Sequence, residues 1–270
     1  MIIEKLSRCA LTYNGKLMDK IVDDFMITNV EGRGLFAPKN EYISINGRDG
    51  DILKDSSYPS RDVKVQFYLY ARNNETWLEK MKIITMALQS DEDVEFSFKD
   101  ELGVRFGRLA GFDNPDYDSN SAIGYFTIHC SDPFLYSEVI EVNNRIDNLR
   151  YDYYPVKIES IEFKANKSSD NIRIYNPNSG KKIIVNKSVS SGDRIIFDGQ
   201  NIWANSKNVL RYLDYVTSDY FDFDLYSEDE VLANVGDDIR IRYRYKSLWV
   251  EYIYLIIPKT YIKQFKIKKY

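Results

Sequence analysis

The sequence predicts a mainly β protein with two domains. The first is an antiparallel β-sandwich-like domain with one α-helix, and the second consists of strands alone. The 270 residues exceed the usual length of one domain. The 22 tyrosines recur with Ile, Val and Phe in short alternating runs, which suit half-buried pleated surfaces. One segment has the spacing of an amphipathic helix. We place the domains at residues 1–137 and 138–270.

Turn residues predict two hairpins near the start of the chain. Asn14 and Gly15 lie between apolar runs, the pattern of a two-residue hairpin turn in which both turn residues have positive φ. Gly47 and Gly50 lie between the β-like segments of residues 43–53 and can adopt conformations that other residues avoid. We expect a hairpin at each of these two places.

A strand and a helix with different periods follow. Residues 61–71 alternate between apolar and polar side chains, the period expected where one face of a sheet is covered. Apolar residues then recur at steps of three and four, which places them on one helical face: Trp77, Met81, Ile84 and Leu88. This predicts a helix over residues 76–89. Thr76 and Glu79 have the spacing of a capping box, with Asn74 as the alternative cap.

Three further strands complete the first domain, at residues 94–98, 104–112 and 123–130. One helix that covers one face of an antiparallel sheet is the simplest arrangement of these elements. Asp132 and Pro133 end the last strand, because proline cannot donate to the ladder and restricts the residue before it.

The second domain consists of short alternating or apolar runs separated by turn signals. Regularly spaced short strands of this kind indicate a β-sandwich or jelly roll. The predicted strands lie at residues 156–165, 170–176, 181–189, 193–199, 238–247 and 248–258.

The negative charge is concentrated in the first half of the chain. Residues 1–136 carry 16 Lys and Arg against 22 Asp and Glu, a net −6, and residues 137–270 carry 21 against 19, a net +2. Phosphate contacts need a clustered basic surface, so this distribution does not predict tight nucleic-acid binding. An acidic surface would instead repel DNA.

The sequence also bears on the compartment. No uncharged stretch approaches the roughly 18 to 20 residues of a membrane helix, and the first residues lack the apolar block of a signal peptide. We therefore expect synthesis in a cytoplasm and no membrane insertion. Cys9 and Cys130 are too few for a disulfide framework and would remain thiols in a reducing compartment.

No segment carries a recognisable catalytic, metal or cofactor pattern, so we predict that the chain is not an enzyme and holds none of these sites. His129 and Cys130 are neighbours on a predicted strand, where successive side chains point to opposite faces and cannot form a nucleophile–base pair. Acidic clusters are abundant, and we interpret them as solvated turns: residues 91–93, 228–230 and 237–238.

The order of these segments resembles the phage distal tail proteins, often called Dit, over nearly the whole chain. In the first domain the resemblance rests on GRDG at residues 47–50, the SRDVKVQF strand at 60–67 and SDPFLYS at 131–137. In the second domain GDRIIFDG at residues 192–199 is similar to the family's galectin-like domain, which implies a galectin-like or jelly-roll β-sandwich. ANVGDDIRI at residues 233–241 departs from the PGxN-type turn that many members carry.

The resemblance implies a structural protein at the tail tip of a virion, made in the bacterial host cytoplasm. In this family the N-terminal domains form a homohexameric ring at the end of the tail tube, and the second domains hold outer components. The implied partners are further copies of this chain, the tail tube protein, a tail-associated hub or lysin protein, and receptor-binding or baseplate proteins. DNA would pass through the lumen without specific binding, and SDPFLYS would be the exit from the ring domain.

Two alternatives from other classes stay open. A carbohydrate-binding module that recognises host cell-wall glycans would stack Trp203 and Trp249 on sugar rings, although core packing is the simpler role of both. A hydrolase would need one of the acidic pairs to flank a sugar, and the tyrosine-rich second half could line its cleft.

Overall fold

The computed structural model describes residues 6–34, 37–113, 121–149 and 154–248, and the backbone of residues 251–252. These residues form two compact units. The first unit runs to Leu135 and takes in the described residues from Leu248 onward, and the second spans Tyr136–Ser247. The predicted domains of 1–137 and 138–270 stay a prediction, and they differ from the units in placing the residues after Ser247 in the second domain.

The first unit is built on one large antiparallel sheet. Its elements are β1 (Leu11–Tyr13), β2 (Lys16–Leu17), a 3-10 turn (Met18–Lys20), β3 (Phe25–Glu31), β4 (Lys39–Ser44), β5 (Asp51–Ser57), β6 (Arg61–Tyr70), α1 (Asn74–Leu88), β7 (Val94–Phe98), β8 (Glu101–Leu102), β9 (Arg105–Asp113) and β10 (Ser121–Cys130). Seven strands form the sheet in the order β2-β1-β7-β9-β10-β6-β3, and β4 and β5 form a separate two-stranded sheet.

Strand β6 and helix α1 supply much of the core of the first unit, as their periods predict. The apolar face of β6 is fully buried: Val63, Val65, Phe67 and Leu69. The predicted face of α1 packs against the same core: Trp77, Met81, Ile84 and Leu88. The face expectations of both elements are confirmed.

The N-terminus of α1 differs from the prediction. The helix begins at Asn74, and its N-cap is Asn73, whose extended backbone (φ −155°) lets the side chain accept a hydrogen bond from the Thr76 N–H at 2.9 Å. Neither Thr76 nor Asn74 is the cap. Two adjacent asparagines offer the same side chain, and the backbone conformation decides which of them caps the helix.

Both predicted hairpins are present, and the turn residues have the expected conformations. Asn14 (φ 48°) and Gly15 (φ 73°) connect β1 to β2, with Tyr13 paired to Lys16. Gly47 (φ 83°) and Gly50 (φ 78°) lie between β4 and β5. Strand β10 ends at Cys130 as predicted, and Asp132 Oδ1 then accepts a hydrogen bond from the Phe134 N–H at 2.9 Å.

A glycine on β10 makes room for an aromatic side chain of β6. Gly124 lies opposite Phe67, and a Cβ at this glycine would stand 2.3 Å from Phe67 Cζ. Three further rings surround Phe67 at centroid distances of 5.4 Å (Phe25), 5.7 Å (Phe112) and 6.1 Å (Phe126). The Phe67 ring therefore has little space into which it could retreat.

Gly124→Ala is expected to lower the free energy of unfolding by about 1–3 kcal/mol, the usual cost of overpacking a filled core. Chemical denaturation of the two proteins measures this difference. Gly111→Ala on β9 is a matched strand control, because its Cβ would meet nothing nearer than Thr127 Cβ at 3.9 Å. Equal losses of unfolding free energy in Gly124→Ala and Gly111→Ala would contradict the explanation by a clash with the Phe67 ring.

The second unit is a β-sandwich of short antiparallel strands. Its elements, with the strand at the boundary first, are β11 (Leu135–Tyr136), β12 (Ile140–Asn143), β13 (Lys157–Lys164), β14 (Ile172–Tyr175), β15 (Lys182–Val185), β16 (Arg194–Phe197), β17 (Ile202–Ala204), β18 (Lys207–Asn208), two 3-10 turns (Leu210–Tyr212 and Tyr220–Asp222), β19 (Leu232–Ala233), β20 (Arg240–Arg244) and β21 (Lys246–Ser247). One sheet has the order β12-β20-β13-β16-β17-β18, a second has the order β15-β14-β19, and β11 pairs with β21.

The predicted runs of the second half correspond to β13, β14, β15, β16 and β20, which confirms their strand character. Alternate side chains of these strands fill one core, including Ile161, Phe163, Ile195, Phe197 and Ile241. The last predicted run, residues 248–258, lies mostly outside the described residues. Within it β22 (Glu251–Tyr252) pairs with β8 of the first unit, and this pairing is why it groups with that unit.

Candidate functional site

His129 and Cys130 lie on opposite faces of β10, as their adjacency predicts. His129 Nδ1 lies 2.7 Å from Asp62 Oδ1 on the neighbouring strand, and its side chain is 37% exposed. Cys130 is only 1% exposed. Burial raises the pKa of the Cys130 thiol to about 12, although Arg105 and Arg61 favour the thiolate. The thiol is therefore protonated and inaccessible near neutral pH, which makes it a poor nucleophile.

This burial predicts a pH dependence of stability. The folded-state pKa of about 12 lies above the ordinary value of 9.0, so the folded chain holds this proton more tightly than the unfolded chain. The stabilisation is fully present below pH 9 and is lost as the pH rises through 12. Urea unfolding of wild type and Cys130→Ala should therefore give curves whose difference shrinks over this range. A difference that stays constant as the pH rises through this range would contradict the buried thiol.

A group of charged side chains in the first unit, which we call the charge cluster, was not predicted: Arg33, Arg61, Asp100, Glu101 and Arg105. Arg33 Nη1 lies 2.7 Å from Asp100 Oδ1 and 3.4 Å from Glu101 Oε1. Arg105 Nη2 lies 3.6 Å from Glu101 Oε1. Arg33, Arg61, Glu101 and Arg105 are each at least nine-tenths buried. Charges removed from water in this way need partners of opposite sign.

The charge cluster positions the segment that leads into β4. Arg61 Nη1 donates to the backbone carbonyls of Gly32, Arg33 and Gly34 at 3.2–3.4 Å. Burial raises the pKa of Glu101, and the neighbouring Arg105 and Arg33 oppose this shift. Arg61 shares the buried face of β6 two residues before Val63, so the alternating pattern contained a signal for its burial.

The hairpin β4–β5 is the most exposed regular structure of the first unit. Every residue of β4 and β5 is exposed. Tyr42 pairs with Leu53, at 58% and 53% exposure, and Ile43 pairs with Ile52, at 46% and 37%. Directly paired residues share a face and successive pairs alternate, so each face of this hairpin presents one apolar pair.

One of the acidic clusters that the sequence analysis interprets as solvated turns contains a buried carboxylate. Asp229 is 8% exposed and accepts hydrogen bonds from Asn176 Nδ2 at 2.8 Å and Asn178 Nδ2 at 3.1 Å. It therefore holds two loops together. Asp93 lies 3.4 Å from Arg108 Nε. In the described ranges no three His, Cys, Asp or Glu side chains are grouped to hold a metal ion.

Trp203 lines an open pocket of about 610 Å³ in the second unit, which we call the Trp203 pocket. Its lining residues are Arg194, Ile196, Asp198, Trp203, Asn205 and Ser206. Trp203 Nε1 donates to Asp198 Oδ2 at 2.8 Å. Sequence reasoning selected Trp203 but none of its polar neighbours. Trp249, the second predicted stacking residue, lies outside the described residues.

Among the residues that the structure describes, no helix has the length and apolar character needed to cross a membrane.

Comparison with known proteins finds two family matches, one in each unit. The phage tail protein RIFT-related domain matches residues 17–129, and the C-terminal domain of siphovirus-type tail components matches residues 154–249. The distal tail protein of Bacillus phage SPP1 is 25% identical over 128 residues, which are 47% of this chain and 49% of that protein. The aligned part thus spans about half the length of this curated relative.

Solved structures share the fold. The crystal structure of the SPP1 Dit protein, described as a paradigm of the hub of the adsorption apparatus in phages that infect Gram-positive bacteria, has a TM-score of 0.73 at 17% identity. That match covers 88% of this chain and 99% of the other. A structure of the phage P2 baseplate in its activated conformation has a TM-score of 0.59 at 9% identity. That match covers 91% of this chain and 100% of the other.

The two domain matches follow each other in the order that the segment pattern predicted, and together they cover most of the chain. The fold and the sequence similarity to a distal tail protein agree with them. This chain therefore belongs to the distal tail protein family of siphovirus-type tail components.

Proposed function

We propose that the chain forms a six-membered ring at the distal end of a phage tail, or of a phage-tail-like particle, and joins the tail tube to baseplate or receptor-binding components. The observation that carries this proposal is the hairpin β4–β5. A two-stranded hairpin is marginally stable in water by itself. This hairpin nevertheless exposes an apolar pair on each face, so it needs a covering surface.

A second copy of this chain is the covering surface that suits a ring. A contact between two different surfaces of the same chain is head-to-tail, and it closes into a ring when the rotation permits. The edge strand β3 and the turn at Asn14 and Gly15 supply further contacts in this proposal. Met26 on β3 is 41% exposed, and Asn14 and Gly15 are exposed as well. Within the part of the chain that the structure describes, β3 is an edge strand of seven residues, and an edge strand can accept a strand of a neighbouring chain.

The acidic first half suits a channel for DNA, because like charges do not hold the phosphate backbone. In this role the chain is a structural protein without catalytic activity. Its partners are the tail tube protein on one side, a tail-associated hub or lysin protein on the other, and receptor-binding or baseplate proteins outward. It is made in the host cytoplasm and resides at the virion's tail tip.

Immunogold electron microscopy of intact particles tests this location. Antibodies raised against the purified chain should label the distal tail end and leave the capsid and the length of the tube unlabelled. Label distributed along the tube, or confined to the capsid end, would contradict the proposed position.

A further inference from the structure

We propose that the second unit binds a neutral sugar ring, a hexopyranose of a polysaccharide, in the Trp203 pocket. This activity is separate from ring formation, so either one can hold while the other fails. It follows from the register of the six-stranded sheet, the fixed position of the indole ring and the charge balance of the pocket.

The register places Trp203 in a row of side chains on the outer face of the sheet. Trp203 pairs with Ile196 on one side and with Asn208 on the other, and Ile196 pairs with Glu162. The intervening residues of β16, Ile195 and Phe197, are buried in the core. This row therefore combines an aromatic ring, an aliphatic side chain and polar ends on one face that is not covered by the core.

The indole ring is held in place before any ligand arrives. Its Nε1 donates to Asp198 Oδ2, and Asp198 Oδ1 accepts from the backbone N–H groups of Gln200 (3.0 Å) and Asn201 (2.6 Å). Partial burial opposes the charge of Asp198, but these hydrogen bonds outweigh it and lower its pKa. A fixed aromatic ring loses little conformational freedom when a flat apolar face stacks on it.

The polar groups around the ring match sugar hydroxyls, which both donate and accept hydrogen bonds. Arg194 uses Nε to bind Glu162 Oε1 at 2.6 Å, and its side chain is 62% exposed, so its Nη amino groups face solvent. Asp198 and Glu162 supply acceptors beside these donors. Asn205 and Ser206 form the turn that closes the rim, with φ values of 47° and 66°.

The charges of the side chains in and beside the Trp203 pocket favour a neutral polar ligand over a polyanion or a purely apolar ligand. The lining has one cation, Arg194, and one anion, Asp198, and Glu162 adds a second anion beside Arg194. A phosphate or other polyanion would meet no excess of positive charge here. A purely apolar ligand would displace water from these polar groups and offer them no hydrogen bonds in exchange. The volume of about 610 Å³ lies within the range of ligand pockets.

Saturation-transfer NMR on the full-length chain tests the proposal. The probes are the methyl pyranosides of glucose, galactose, N-acetylglucosamine, N-acetylgalactosamine and rhamnose, with glycerol phosphate as an anionic probe. At least one pyranoside should receive saturation at its ring protons. Its Kd should rise by about tenfold or more in Trp203→Ala, because the stacking surface is removed. Phe221→Ala, which removes an 84% exposed aromatic ring of the same unit, is the matched control and should bind normally.

Arg194→Met provides a second variant that keeps the indole and its turn, and it should weaken the binding of the same sugar. Circular dichroism of each variant establishes that it is folded. The proposal is overturned if no pyranoside binds the wild-type chain, if binding persists in both Trp203→Ala and Arg194→Met, or if glycerol phosphate binds in preference to every sugar.

Discussion

Removal of the apolar pairs from the hairpin β4–β5 is expected to convert the assembled protein into monomers. The variant is Tyr42→Thr, Ile43→Thr, Ile52→Thr and Leu53→Thr together, because threonine keeps a high strand preference. Burial of an apolar side chain at an interface contributes about 1.5–3 kcal/mol. Loss of four such side chains from every contact would exceed the margin of a typical assembly. Light scattering should then give a mass near 31.7 kDa.

A matched control separates the hairpin from exposed apolar surface in general. Tyr215 and Val216 of the second unit are 61% and 93% exposed. Their double replacement by threonine should leave the assembly unchanged. If the variant with all four hairpin substitutions still forms a ring of native size, the hairpin β4–β5 is excluded as the ring contact.

Gly32→Ala is expected to be among the most destabilising single changes in the first unit. Gly32 has φ of 84°, and a Cβ there would lie 2.1 Å from the backbone oxygen of Asp62. The left-handed conformation costs about 1–2 kcal/mol for a residue with a side chain. The clash is with backbone of β6, which cannot rotate away, so the total loss should reach about 3 kcal/mol or more. Chemical denaturation measures this loss.

Gly15→Ala isolates the conformational part of that effect. Gly15 has φ of 73°, and a Cβ at this glycine would meet no atom within 4 Å. The substitution should therefore cost only about 1–2 kcal/mol. Equal losses of stability in Gly32→Ala and Gly15→Ala would contradict the explanation that the close approach of Gly32 to β6 excludes a side chain. A shift of Gly32 would also disturb the carbonyl that Arg61 binds.

Local patterns predicted most of the fold, because one covered face imposes its period on a strand or a helix. The buried face of β6, the apolar face of α1 and the turn at Asn14 and Gly15 all follow from neighbours within one element. The choice between Asn73 and Asn74 as N-cap could not be predicted in this way, because it depends on the backbone conformation of one residue.

Contacts between residues that are far apart in the sequence could not be predicted from local patterns. Arg33 and Asp100 meet across 67 positions of sequence, so the charge cluster could not be predicted from single segments. The strands of the hairpin β4–β5 carry adjacent apolar residues, Tyr42–Ile43 and Ile52–Leu53, and this local pattern does not show whether another element covers them. Their full exposure reflects the absence of a covering element among the described residues of the first unit. Trp203 was recognised by residue type, whereas Arg194 and Asp198 join it only through the pairing of β16 with β17.

The solution mass of the purified full-length chain, measured by light scattering after size exclusion over a range of concentrations, tests the ring most directly. A closed ring requires a species of six copies of the 31.7 kDa chain, about 190 kDa, which shows six-fold symmetry in negative-stain images. A chain that remains at 31.7 kDa up to its solubility limit, or that assembles into a form without a closed six-fold ring, would contradict the proposed ring.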